Sequence, residues 1–269
     1  MLKLPLYQVD AFADRLFAGN PAAVCVSQEA LPAPQMQAIA AENNLAETAF
    51  LVPRNGHYDL RWFTPAVEMA LCGHATLGSA YVLKAMHVPH DRDEAIHFET
   101  KSGRLTVTGD PAGLLAMDLP AMPAKPALAP DGLEHAMSKN PRQILKARDW
   151  VAIFDSAADI RDLRIDYPLL GRAIASDPAA GLIVTAPGDH GADFVSRYFA
   201  PNQGIAEDPA TGSAHCTLTP LWSQRLKKSE LLGHQLSQRG GVLHCRPNGD
   251  RVTISGHVVP YLAGTICLP

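Results

Sequence analysis

Residues 61–80 read RWFTPAVEMALCGHATLGSA, and residues 197–215 read RYFAPNQGIAEDPATGSAH. Both begin Arg-aromatic-Phe-x-Pro and both place a reactive-looking side chain nine residues after the Phe, Cys72 in one and Asp208 in the other. Each then opens a helix start of small residues. Phe199 follows Phe63 by about half of the 269-residue chain, a period far too long for a solenoid repeat. Two similar halves are the expected organisation, and a chain of this length can bury two cores of ordinary size.

Outward from the first copy, the pattern alternates between strands and helices. LYQVDAF and AAVCVS read as short strands around a Gly19-Asn20-Pro21 turn. Residues 34–43 place Met36, Ile39 and Ala40 at helical spacing, and Asn43-Asn44 ends that helix. Glu47 then opens the strand TAFLVP, and YDLRWF is the next. Residues 73–86 read as a helix apolar nearly all round, which must be enclosed on most sides. The Pro-rich run at 122–130 is a natural crossing into a second half with the same plan: strands in WVAIFD, GLIVTAP and ADFVSRYF, then a helix over 211–227, bent or interrupted at Pro220. Two strands joined through Asn248-Gly249 close the chain. The class expected is α+β.

Composition removes several functions. With 47% hydrophobic and 19% charged residues and a formal net charge of −4, the chain is that of a globular protein with no attraction for phosphate backbones or anionic membranes. No leader or membrane-length apolar run is evident, so a cytoplasmic location is expected. Five scattered cysteines without a Cys-x-x-Cys pair argue against a disulfide framework or structural zinc. His87 and His90 have a proline inside their spacing and no third ligand nearby, so no metal is expected. There is no dinucleotide or P-loop glycine motif, and cofactor-free chemistry is the working assumption.

The two helix starts carry the chemistry. Gly73-His74-Ala75 and Gly212-Ser213-Ala214 each offer unpaired backbone N–H groups at the positive end of a helix dipole, which favours a small carboxylate-bearing ligand. Glu47 is bracketed by apolar residues, and burial of a carboxylate there would favour its protonated form and suit it to acid–base work near neutral pH. His74 and Asp208 could share a proton with it or hold a substrate, and Ser213 could donate to a substrate carboxylate. Asn20, Phe63 and Arg239 are further pocket candidates.

The segments 7–26 (YQVDAFADRLFAGNPAAVCV), 44–53 (NLAETAFLVP), 61–80 and 207–216 (EDPATGSAHC), in that order, closely resemble the phenazine-biosynthesis isomerase (PhzF-like) family. The resemblance implies the diaminopimelate epimerase-like fold: two similar lobes, each an antiparallel sheet curled around a central helix, with an active site between them and a homodimer as the usual assembly. It divides the chain into 1–118, joined by a C-terminal strand at about 257–269, and 119–256. It implies that Glu47 is the acid/base that shuttles a proton between carbons of a cyclohexadiene carboxylate such as trans-2,3-dihydro-3-hydroxyanthranilate. His74, Asp208 and Ser213 would hold the substrate and assist, and Gly73 and Gly212 would bind its carboxylate. Epimerases of the superfamily use two thiols. Here Cys72 precedes the first helix, but Thr211 stands where the second thiol is expected, which disfavours two-thiol racemisation. Cys72 and Thr211 are then pocket-lining residues. The alternatives are an epimerase or racemase using Cys72, a non-catalytic carboxylate-binding protein, and a serine hydrolase built on Ser213 and His215.

Overall fold

The computed structural model of the chain describes residues 2–87, 95–109 and 113–268. The His87 and His90 side chains lie outside the described residues. The chain forms two compact units, Met1–Asp118 with Ser255–Pro269, and Leu119–Ile254. No helix among the described residues is long and apolar enough to cross a membrane.

The first unit runs β1 (Leu2–Ala11), β2 (Asn20–Val26), α1 (Ala33–Asn43), β3 (Glu47–Pro53), β4 (Tyr58–Phe63), β5 (Glu68–Met69), α2 (Gly73–Val82), β6 (Ile96–Thr100), β7 (Gly103–Gly109) and β8 (Leu115–Pro120). The second unit holds β9 (Lys125–Pro126), β10 (Gln143–Lys146), β11 (Trp150–Ile153), α3 (Ala157–Asp162), α4 (Tyr167–Ala173), β12 (Leu182–Pro187), β13 (Phe194–Ala200), β14 (Ile205–Asp208), α5 (Gly212–Leu226), β15 (Leu231–Gln235), β16 (Gly241–Asn248) and β17 (Arg251–Gly256). The final strand, β18 (Val258–Leu268), returns to the first unit and pairs antiparallel with the whole of β1, through a bulge at Gln8 and Val9.

Most neighbouring strands are antiparallel, as the expected α+β class requires. Each unit also contains two parallel pairs in matching places: β2 with β3 and β4 with β6 in the first, β11 with β12 and β13 with β15 in the second. Parallel neighbours need a crossover: α1 and the pair α3–α4 lie in the first of each unit, and α2 and α5 in the second. The duplicated sequence is therefore a duplicated topology.

Helix α2 packs against β1, β2, β3, β7 and β18. Enclosure on so many sides is why eight of its ten residues are buried and why Gly, Ala, Ser and Thr dominate it. Helix α5 packs on β15 and β16, and it runs without interruption past Pro220. Proline cannot donate to the carbonyl four residues back, that of Cys216, and this carbonyl accepts from the Met122 N–H instead at 3.0 Å. The interruption anticipated at Pro220 does not occur, and the segment between β8 and β9 supplies the missing donor. A core of Leu170, Leu182, Val184 and Phe199 supports the second unit, and Trp222 of α5 stacks on Phe194 with ring centroids 6.0 Å apart. Burying each such side chain stabilises the fold by about 1.5–3 kcal/mol.

Candidate active site

The repeated Arg-aromatic-Phe segment is explained first by packing. In β4, Arg61 makes two charge-assisted bonds to Glu68 of β5, at 2.7 and 2.9 Å, and lies over the Phe63 ring at 5.2 Å. In β13, Arg197 does the same to Glu207 of β14, at 2.7 and 3.0 Å, over Phe199 at 5.0 Å. Bidentate Arg–carboxylate pairs are among the stronger and more directional polar contacts. The pair with Arg61, joined by Lys101, holds the Glu68 carboxyl down at about 2. In each copy this clamp ties a short strand to the sheet just before the central helix begins.

The clamps also align the two copies. Trp62 pairs with Met69 and Tyr198 pairs with Asp208, so Met69 is the counterpart of Asp208. Four residues later come Gly73 and Gly212; Cys72 therefore corresponds to Thr211 and His74 to Ser213. Counting nine residues from each Phe had set Asp208 against Cys72. The short turn Pro201–Gln203 adds three residues to the second copy and breaks that count. Asp208 thus ends a strand and is not itself at the helix start.

At the α2 start four side chains meet. Glu47, the first residue of β3, is 6% exposed, and its Oε2 stands 3.0 Å from Nε2 of His74, which is 4% exposed. Asn20, the first residue of β2, presents its amide nitrogen to His74 Nδ1 at 3.1 Å, and Cys72 Sγ lies 3.5 Å from the same atom. The parallel pairing of Ala22 with Glu47 brings these strand beginnings together. With the amide so turned, a neutral ring accepts at Nδ1 and keeps its proton on Nε2, facing the carboxylate; a protonated ring donates to the carboxylate from the same atom. The two atoms are close but poorly aligned, and neither has another hydrogen-bond partner among the described residues. Buried, under-satisfied polar atoms at a helix start are what a ligand would complete.

Burial disfavours a charged His74, whereas Cys72, when ionised, and the Glu47 carboxylate favour it and together hold the imidazole well above its ordinary value. The Cys72 thiol is pushed up by burial and then by Glu47, against the opposing influence of His74, so it stays protonated at neutral pH. Ligand atoms of Glu47, Cys72 and His74 lie within 4.8 Å of one another, a donor set that could hold a divalent metal. The protonated sulfur opposes such binding, since a metal takes the thiolate.

At the α5 start the arrangement differs. The Thr211 hydroxyl donates to Asp208 Oδ2 and accepts from Gln235 Nε2 at 3.1 Å, and it makes no cap on its own helix. Gln235, at the end of β15, locks this corner: its Oε1 accepts from the Thr211 N–H at 2.8 Å and its Nε2 donates to the Asp208 carbonyl at 2.7 Å. Cys72 likewise makes no side-chain cap on α2. Both helix starts therefore keep first-turn N–H groups without a side-chain cap. Sequence reading missed Gln235 because it lies 24 residues beyond Thr211 and only strand pairing brings it there. Phe63, a pocket candidate, is instead core, 2% exposed and edge-on to Phe50 at 5.6 Å. Arg239 is half-buried in the loop before β16.

The hydrolase alternative does not fit this corner. His215 Nδ1 donates to the Thr211 carbonyl at 2.8 Å, not to Ser213, and its ring packs against Phe194. Burial pulls the ring down to about 4. A fully buried neutral histidine costs stability as pH falls, because the unfolded chain takes up a proton near pH 6.5 and the folded one does not. We expect His215 to contribute a loss of about 3 kcal/mol between pH 6.5 and pH 4. Urea unfolding at pH 7 and pH 4.5 should show that drop shrinking in His215→Gln; an equal drop would show that another group is responsible.

The sequence matches the family described as phenazine biosynthesis-like protein over residues 9–264. It is 46% identical over 267 residues to a Pseudomonas aeruginosa protein named as an uncharacterized isomerase, covering 99% of this chain and 100% of that one. The chain belongs to the phenazine biosynthesis-like family. A crystal structure of a family protein from Clostridium difficile, 40% identical, superposes with a TM-score of 0.91 over 98% of this chain and 100% of the other. A probable proline racemase from Agrobacterium radiobacter, 12% identical, shares the fold with a TM-score of 0.65 over 99% of this chain and 93% of its own. In this chain the residue before the second helix is Thr211 where Cys72 precedes the first.

Proposed function

We propose that this protein is an isomerase that moves a proton between two carbons of a small carboxylate-bearing substrate, with Glu47 as the acid/base. The observation that carries this is the buried Glu47–His74 pair at an uncapped helix start, two polar atoms 3.0 Å apart whose bonding is left incomplete. In the reaction, the Glu47 carboxylate takes a proton from a carbon made acidic by conjugation, and the electron pair of that C–H bond moves into the conjugated system. The resulting carboxylic acid returns the proton to another carbon of the system, restoring the carboxylate. No oxidant or reductant is consumed. His74 supplies a hydrogen bond that steadies Glu47 in either state, and the raised imidazole can also lend a proton. Gly73, Gly212, Ser213 and Asp208 are the proposed substrate-holding groups, with backbone N–H groups stabilising developing negative charge. Removing one preorganised donor of that kind typically costs about 2.7–4 kcal/mol in the transition state.

The test is solvent-deuterium incorporation, read by mass spectrometry, into trans-2,3-dihydro-3-hydroxyanthranilate and a panel of small amino and hydroxy acids. Incorporation that depends on Glu47 and survives Cys72→Ala is expected. Incorporation that survives Glu47→Gln but fails in Cys72→Ala would instead establish an epimerase using the thiol. A folded protein that binds members of the panel without exchanging any hydrogen would be a carboxylate-binding protein.

A further inference from the structure

The matching topology extends the alignment beyond the helix starts. Thr48 pairs with Phe63 as Leu182 pairs with Phe199, and Ala23 pairs with Thr48 as Trp150 pairs with Leu182. Glu47 therefore corresponds to Gly181, and Asn20 and Pro21 fall where Ala147 and Arg148 stand. No side chain is possible at Gly181, because a Cβ there would lie 2.5 Å from the Tyr198 hydroxyl and 2.8 Å from the Phe199 carbonyl. The second copy has no carboxylate where Glu47 stands, but it keeps the other half of the device. In the first copy a donor at the beginning of β2, Asn20, meets His74; its aligned position is Ala147, one residue before Arg148. In the second, Arg148 Nη2 donates to the hydroxyl of Ser213, the counterpart of His74, at 3.1 Å.

Arg148 is itself held firmly. Its Nε and Nη2 both donate to Asp149 Oδ2, at 3.1 and 2.8 Å, and Asp149 is 1% exposed. The other carboxylate oxygen accepts from the Gly181 N–H at 2.8 Å and the Tyr198 hydroxyl at 3.2 Å. A guanidinium only donates, so Ser213 Oγ is always the acceptor in this contact. A serine hydroxyl has one proton, which must then point elsewhere, and it finds no acceptor among the described residues.

We propose that Arg148 is a positioning residue that turns the Ser213 hydroxyl so that its proton is presented to the ligand, and thereby favours a carboxylate as the group bound at the α5 start. This rests on the reading of Ser213 as a substrate-holding group. Arg148 occupies one of the two lone pairs of the hydroxyl and so fixes its rotation, and a carboxylate oxygen meets a proton already turned away from the guanidinium and toward the ligand.

The probes are 3-hydroxyanthranilate and 2-aminophenol, the same ring without the carboxylate, titrated by calorimetry into the full chain. Wild type is expected to prefer the carboxylate at least about tenfold, the scale of one charge-assisted hydrogen bond. Arg148→Met should lose that preference while 2-aminophenol affinity stays the same, which a merely structural role would not produce. Ser213→Ala should lose the same amount, and the combined variant no more than either alone. If Arg148→Met unfolds because Asp149 is left charged and unpaired, Arg148→Met with Asp149→Asn removes both charges and keeps the Gly181 and Tyr198 bonds. An unchanged preference in the Arg148 variant, a multiplicative loss in the combined one, or no carboxylate preference in wild type would each overturn the inference. The isomerase reading fails separately, through deuterium exchange that does not need Glu47.

Discussion

Glu47→Gln is expected to cut deuterium incorporation by about a thousandfold, the middle of the range for removing a general acid or base, while the unfolding midpoint hardly moves. The two effects separate because glutamine keeps the shape and one acceptor oxygen. Glu47 opens β3, and its backbone pairs with Ala22, so the side chain leaves the strand in the same direction whichever residue it is. The amide oxygen can still receive the His74 Nε2 proton that now faces Oε2 at 3.0 Å. What glutamine cannot do is take a proton from carbon and give it back. Cys72→Ala provides the contrast: the sulfur touches His74 but is held protonated by burial and by the nearby carboxylate, so its removal should slow exchange by less than about tenfold. Equal losses in the two variants would mean that the thiol and the carboxylate share the chemistry, and single-carboxylate transfer would be abandoned.

The sequence carried most of the fold through local signals, and Pro220 is where a contact from outside the helix set one of them aside. Asn44 takes the left-handed conformation and closes α1 where Asn43-Asn44 predicted a stop, and β3 and β4 occupy the runs bounded by Glu47, Pro53 and Phe63. The duplication was legible too, because the Arg-aromatic-Phe clamp needs a fixed Arg-to-Phe spacing on one strand face. Its partner glutamate was not, since Glu68 follows Phe63 by five residues and Glu207 follows Phe199 by eight. A loop between two paired strands can grow without disturbing the pairing, so counting along the chain put Asp208 in the wrong column. Gln235 and Arg148 left no local trace, because each reaches its partner across strands far apart in sequence. Asn20 lay in between: named as a candidate from its motif, it acquired a defined role only when the β2–β3 pairing set its amide against His74.

The second large effect concerns stability, and it reaches the same histidine through the backbone. Gly19 immediately precedes Asn20, has φ near +63°, and a Cβ added there would lie 2.2 Å from the Ala11 carbonyl oxygen and 2.8 Å from the Ala13 Cβ. Neither obstacle can rotate aside, since Ala11 and Asn20 are paired at the ends of β1 and β2. Gly19→Ala is therefore expected to destabilise the protein by about 2–5 kcal/mol, combining left-handed strain of about 1–2 kcal/mol with overpacking of about 1–3 kcal/mol. That is a large part of the 5–15 kcal/mol by which native proteins are usually stable. Gly56→Ala separates the two contributions, because Gly56 has φ near +80° but a Cβ there meets nothing within 4 Å. Its urea midpoint should fall by the strain alone. If Gly19→Ala costs no more than Gly56→Ala, the Ala11 carbonyl has moved away and the turn is not rigid. If it costs more, as the geometry requires, whatever folded Gly19→Ala survives should also exchange deuterium slowly, because relieving a 2.2 Å overlap displaces the first residue of β2 and with it the amide that sets the His74 tautomer.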